Sequence, residues 1–173
     1  MNTSRPDRTD AVDYYFTYID RVGAGDIRTI LRDQLTETLT FFGGIDTAWS
    51  LHRYAPEKWS IRDIVGHLND TERIFVARAL WIARGFDTEM PSMDQNVAVA
   101  NANADSREWI SHIDEFRVVR ESTLSFFESL PDEAWERRGI ASGYQFSVKG
   151  LAYIVAGHVT HHSEVIKTRY VAQ

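Results

Sequence analysis

The chain has 173 residues, 43% of them apolar and 12% aromatic, and carries a formal net charge of −6. That is enough material for one domain with a sizeable core, read here as spanning 1–173, and it excludes a disordered chain. No run of lysine or arginine forms the basic stripe on which nucleic-acid or anionic-membrane binding rests, and the lack of cysteine leaves His, Asp and Glu as the metal donors.

The polar stretch 1–10 resembles no secretory signal and is expected to be mobile, which points to a cytoplasmic protein. A weak helical piece, Val12 to Val22, precedes the first strong segment, about Asp26 to Phe42. There Asp26 reads as an N-cap, Ile27, Ile30, Leu31, Leu35, Leu39 and Phe42 form the apolar stripe, and Gly43-Gly44 stops it. The second segment opens at Trp59-Ser60-Ile61-Arg62-Asp63, which approximates a capping box, and runs to about Ala83 before Gly85. From Phe86 to Ala104 the chain is rich in Asn, Asp and small residues and reads as a long loop. A third segment runs from near Asp105 to Leu130, and a fourth from Ser147 almost to Gln173. Strand signals are weak throughout. The fold class expected is all-α, a four-helix bundle with a long loop between its second and third helices. The longest uncharged apolar run, Gly150 to Val159, is too short to cross a bilayer.

The fourth segment contains Gly157-His-Val-Thr-His-His-Ser163. Its seam reads Val148, Leu151, Val155, His158, His162, Val165, Arg169, so two imidazoles stand where leucines belong. At i and i+4 both rings leave the same face, a spacing that lets one metal ion take a nitrogen from each. On the second segment Ile64, His67, Thr71, Ile74, Arg78 and Trp81 follow a similar progression, which turns His67 inward too. Three imidazoles with no fourth protein ligand would be the open, catalytic arrangement. The bland alternative is that these are core histidines satisfied by ordinary hydrogen bonds. His52, His112 and His161 read as surface or packing residues.

Lys58-Trp-Ser-Ile-Arg-Asp-Ile-Val-Gly-His-Leu-Asn-Asp-Thr-Glu-Arg73 and Arg78-Ala-Leu-Trp-Ile-Ala-Arg84 resemble the second helix of the DinB/YfiT-like superfamily. Leu151-Ala-Tyr-Ile-Val-Ala-Gly-His-Val-Thr-His-His162, with Arg169-Tyr170, resembles its closing helix. The resemblance covers the chain from Tyr18 onward. It implies a four-helix bundle holding a zinc- or nickel-type divalent ion on His67, His158 and His162, and a homodimer. Some members are thiol-dependent S-transferases or isomerases that use a bacterial low-molecular-weight thiol as cosubstrate; others are described as metal-dependent hydrolases.

Two mechanisms suit such a centre: a metal-held external thiolate attacking an electrophile, or a metal-activated water attacking a small-molecule substrate. Asp70, at i+3 from His67, is a candidate to orient a ligand imidazole, or else a solvated charge. Arg78 lies eleven residues beyond His67, about 16 Å along the helix, and either reaches an anionic substrate group or pairs with a buried carboxylate such as Glu72 or Asp94. Met93-Asp94-Gln95-Asn96 is expected at a pocket wall, and Tyr144 and Tyr153 are possible hydrogen-bond donors. Trp59, Trp81, Trp109 and Trp135 read as packing residues. The competing functional class is a non-catalytic metal- or ligand-binding stress protein; a purely structural bundle is the third.

Overall fold

The computed structural model describes residues 5–170. After a single 3-10 turn and a short helix α1 (Phe16–Ile19) come α2 (Ile27–Gly43), α3 (Ile61–Ala83), α4 (Gln95–Ala102), α5 (Trp109–Glu128), a hairpin of β1 (Arg138–Ala141) and β2 (Tyr144–Ser147), and α6 (Val148–Arg169). The architecture is the all-α four-helix bundle read from the sequence, made of α2, α3, α5 and α6. α3 packs against both α5 and α6, and so does α2. The sequence-adjacent pairs α2/α3 and α5/α6 therefore face each other diagonally. No helix among the described residues is long and apolar enough to cross a membrane.

Local chemistry sets the helix ends. The Asp26 carboxylate accepts from the Arg28 amide and starts α2. Ser60 and Asp63 form the reciprocal capping box that starts α3, at 2.9 and 3.0 Å. Ser147 accepts from the Gly150 amide at 2.9 Å and starts α6.

Four readings need correction. The described part of the stretch 1–10 is anchored, though most of its side chains are exposed: Pro6 and Asp10 are buried, the Asp10 carboxylate meets Arg138 and Lys149, and Arg5 donates to the Val22 carbonyl at 2.8 Å. The long connection 86–104 contains α4, whose N-cap Asp94 accepts from the Asn96 and Val97 amides and whose end is marked by the left-handed Asn103. None of its residues is buried, so it lacks the apolar stripe by which helices are recognised. The segment after α5 folds into an antiparallel hairpin, its two-residue turn Ser142-Gly143 held at φ of 54° and 77°. Finally, α6 presents no simple seam. Every residue from Val148 to Val159 is buried, because α1 packs on it as well as α2 and α3. The expected last residues of this helix, 171–173, lie outside the described residues.

α1 comes this close because α6 carries glycine where the two backbones meet. A side chain at Gly150 would overlap the Asp10 carbonyl, and one at Gly157 the Tyr18 carbonyl.

The core is two apolar clusters. One gathers α1, the carboxyl-terminal halves of α3 and α5, and the start of α6, including Phe75, Ile82, Phe127 and Leu151. The other gathers Phe42, Ile61, Leu68, Trp109, Phe116 and Ile166. A polar layer separates them. In it Arg120, 0% exposed, gives Nε and Nη2 to the two carboxylate oxygens of Glu72, each at 2.8 Å, and Nη1 to Gln34 Oε1 at 2.8 Å. Gln34 Nε2 in turn donates to the Ala156 carbonyl at 2.8 Å and to Thr160 Oγ1 at 3.0 Å. Removing one partner strands the other charge in the core. Glu72→Ala is therefore expected to lower stability by about 3–5 kcal/mol in urea denaturation; a loss under about 1 kcal/mol would show the pair to be dispensable.

Candidate metal centre

The polar layer continues onto the α3–α6 face, where three imidazoles meet. His67, 3% exposed, and His158, 5% exposed, are buried, while His162 is half-buried. His158 Nε2 stands 3.2 Å from His67 Nε2 and 3.1 Å from His162 Nε2. One donor atom from each ring lies within 4.8 Å of the others. Nitrogens about 2.0–2.1 Å from a common zinc-type ion at tetrahedral angles stand about 3.3–3.4 Å apart. The spacing fits such an ion.

The protonation chemistry fits it as well. Thr71 Oγ1 gives its hydrogen to the His67 carbonyl at 2.6 Å, so at His158 Nδ1, 3.3 Å away, the hydroxyl acts as acceptor. His158 Nδ1 then carries the proton and its Nε2 lone pair is bare, facing the other two rings. One lone pair serves one ring N–H. A shared cation accounts for two rings approaching it at once. Burial lowers the His67 imidazole to about 4 and, with His67 and His161 adding to the effect, the His162 imidazole to about 3. Burial, followed by the neighbouring His162, His67 and His161, holds His158 well below its ordinary value. All three rings are thus neutral at pH 7, the form that donates to a metal.

Aromatic rings fix the imidazoles from behind. Tyr18 meets His158 edge-on with centroids 5.0 Å apart, and Trp59 lies 4.9 Å from His67. The side toward solvent is a cavity of about 320 Å³ bordered by His162, Trp59, Tyr54, Lys58, Asn96 and Tyr170. His161, half-buried beside Tyr18, stands outside the cluster. His112 is buried and spends Nε2 on the Ala104 carbonyl, and His52 stacks on Trp49, both packing roles.

Other candidates fall elsewhere. Asp70 is not brought to the imidazoles; it is half-exposed and 3.6 Å from Arg73. Thr71, one residue on and at i+4 from His67, takes the place expected of it. Arg78 is buried but pairs with neither expected carboxylate, since Glu72 holds Arg120 and Asp94 caps α4. Tyr144 is exposed, and Tyr153 is buried with its hydroxyl 3.4 Å from the Gly25 carbonyl. Met93 and Gln95 line a cavity at Arg78, and Asn96 lines the one at His162. Trp109 and Trp135 are core residues, and Trp81 stacks on Phe86.

Two outcomes follow. In the metal-free protein the folded imidazoles titrate below 6.5, so as pH falls the unfolded chain takes up protons first. Stability is full above about pH 6.5 and declines toward about pH 4 as the unfolded form is favoured; a urea midpoint flat across this range would contradict the burial of neutral rings. Thr71→Val, which removes the acceptor at His158 Nδ1, is expected to weaken zinc binding about 10–100-fold, with Thr71→Ser retaining it. Competition against a chelating dye measures both.

Known proteins share this fold. The family model described as the DinB superfamily matches residues 30–166. Among solved structures, YfiT from Bacillus subtilis, described as a probable metal-dependent hydrolase with an unusual four-helix bundle topology, is similar with a TM-score of 0.72 at 12% identity over 82% of each chain. A mycothiol-dependent maleylpyruvate isomerase is similar with a TM-score of 0.67 at 13% identity, over 80% of this chain and 58% of that one. A comparison with curated proteins finds no match. At such identities the structural likeness speaks for the fold, and the family match covers most of the chain. With its bundle and its three converging histidines, the chain belongs to the DinB superfamily.

Proposed function

We propose that this protein is a metal-dependent enzyme of the cytoplasm that uses a divalent ion, zinc or nickel, to transfer a small external thiol onto an electrophilic small molecule. The observation that carries the reading is the convergence of three neutral Nε2 donors beside a cavity of about 320 Å³. When bound, the ion would supply Lewis acidity, lowering the pKa of a thiol or water held at its open side.

The chain's own residues do the rest. Three uncharged ligands would leave the net charge of a bound ion uncompensated, unlike a set containing carboxylate. Thr71 fixes the His158 tautomer, and Trp59 and Tyr18 hold two of the rings. The cavity at His162 has room for a bulky cosubstrate, with Trp59, Tyr54 and Tyr170 as an aromatic wall and Lys58 and Asn96 as polar contacts. The chain has no cysteine, so the thiol arrives from solution. The similar mycothiol-dependent isomerase favours this reading; the similar hydrolase favours a second, in which water takes the place of the thiol. Dimer formation is part of the same proposal.

Untagged protein should carry about one zinc or nickel ion per chain, and the double substitution of His158 and His162 by alanine should abolish it; unchanged metal content in that variant would end the proposal. Incubation of loaded protein with electrophiles and a panel of small thiols separates the two chemistries. Thiol-dependent product formation above that of free metal supports transfer, thiol-independent hydrolysis supports the second reading, and neither leaves a binding protein.

A further inference from the structure

Two buried guanidiniums, Arg62 and Arg78, have no ion pair among the described residues; Arg62 is satisfied by Ser50 Oγ and three main-chain carbonyls, and Arg78 is not satisfied. Arg78 is 3% exposed, and among the described residues no carboxylate forms an ion pair with it. Its Nη2 donates to the Pro91 carbonyl at 3.0 Å and to Ser142 Oγ at 2.7 Å, while its Nε–H is buried with no partner. A guanidinium taken out of water with no counter-charge is costly. The contrast within the same bundle is direct, since the equally buried Arg120 is neutralised by a bidentate carboxylate.

Arg78 borders a cavity of about 130 Å³ whose other walls include Tyr14, Tyr15, Tyr18, Gln95 and Ser142. These are neutral hydrogen-bonding groups. The Tyr14 and Tyr18 hydroxyls are hydrogen-bonded to each other at 3.2 Å. Burial pushes the Tyr15 phenol up, while the charge of Arg78 and a hydrogen bond from it to the phenol oxygen pull the other way; the phenol keeps its proton at neutral pH and can donate it. One cation among neutral donors matches a single planar carboxylate. A phosphate dianion would leave an uncompensated negative charge in so small a space.

The cavity also touches the centre. Thr71 lines it, and the same hydroxyl meets His158 Nδ1; Tyr18 lines it and packs on the His158 ring. Thr71 and Arg78 stand two turns apart on one face of α3, about 10 Å along its axis.

We infer that this cavity is a carboxylate-binding subsite, in which Arg78 Nε and the phenol of Tyr15 hold the acid group of a small organic acid. That the acid is the enzyme's substrate rests on the function proposed above; that the cavity binds a carboxylate does not. The subsite selects acids over their amides or esters, because only the carboxylate supplies the charge that Arg78 lacks.

The test uses metal-free, full-length protein and follows the Arg78 Nε–H signal by ¹H–¹⁵N NMR, assigned by its loss in Arg78→Lys. Acetate and succinate are titrated, with inorganic phosphate as the rival anion. A saturable shift with the carboxylates is expected, weakened about tenfold or more in Tyr15→Phe and absent by isothermal calorimetry in Arg78→Gln. No saturable shift, a response to phosphate alone, or unchanged binding in Arg78→Gln would overturn the assignment. If Arg78→Gln fails to fold by circular dichroism, Tyr15→Phe decides, since it keeps the ring and removes only the hydroxyl; full affinity there counts against the subsite. Wild-type protein that binds acetate yet retains no metal would sink the enzyme reading and leave the subsite standing.

Discussion

One chain of hydrogen bonds crosses all four bundle helices, and the placement of everything else follows from it. Glu72 on α3 holds Arg120 on α5, Arg120 holds Gln34 on α2, and Gln34 holds the backbone and a hydroxyl of α6 at Ala156 and Thr160. Apolar contacts are non-directional and would tolerate a helix sliding along its neighbour. A buried guanidinium with fixed donor directions does not. The contacts on α6 fall two residues either side of His158, and Glu72 falls five beyond His67. The network therefore sets the height at which the α3 and α6 imidazoles face each other, to within the tolerance a metal allows.

Much of this was readable from residue spacing. His158 and His162 at i and i+4, and His67 on a matching stripe, needed only helical periodicity, and the caps at Asp26, Ser60 and Ser147 needed only local chemistry. What escaped depended on contacts across the fold. Asp70 and Thr71 are adjacent in sequence and both near the His67 face; only the position of α6 decides that the hydroxyl, and not the carboxylate, reaches an imidazole. For Arg78 a substrate anion and a buried carboxylate both stood open, because nothing in a linear pattern shows that Glu72 is already taken. The hairpin has four residues in each strand, too few for alternation to stand out, though Ser142-Gly143 is a turn signal in hindsight. The helix α4 has a clear cap but no buried face to announce it.

His158 links two compartments with different chemistry. Its Nε2 faces the imidazole cluster and the larger cavity beyond His162, while its Nδ1 faces Thr71 and, past it, the small cavity that Arg78 charges. Neutral imidazoles gather on the first side, and on the second stands a guanidinium with no ion pair among the described residues. A molecule bound in the smaller space would thus meet the His158 ring through two neighbours, the Thr71 hydroxyl, whose hydrogen is already committed to the His67 carbonyl, and the Tyr18 ring.

The missing side chains at positions 150 and 157 bring a liability along with the close approach they permit. At these two positions the main-chain carbonyls of Asp10 and Tyr18 come closest to α6. A methyl group at Gly157 would be felt first by α1 and, through the Tyr18 ring, by the imidazole next to it in sequence. Residues 10–18 are in this sense a wall of the imidazole site, supplied from the far end of the sequence. Re-routing them is equivalent to altering the site itself.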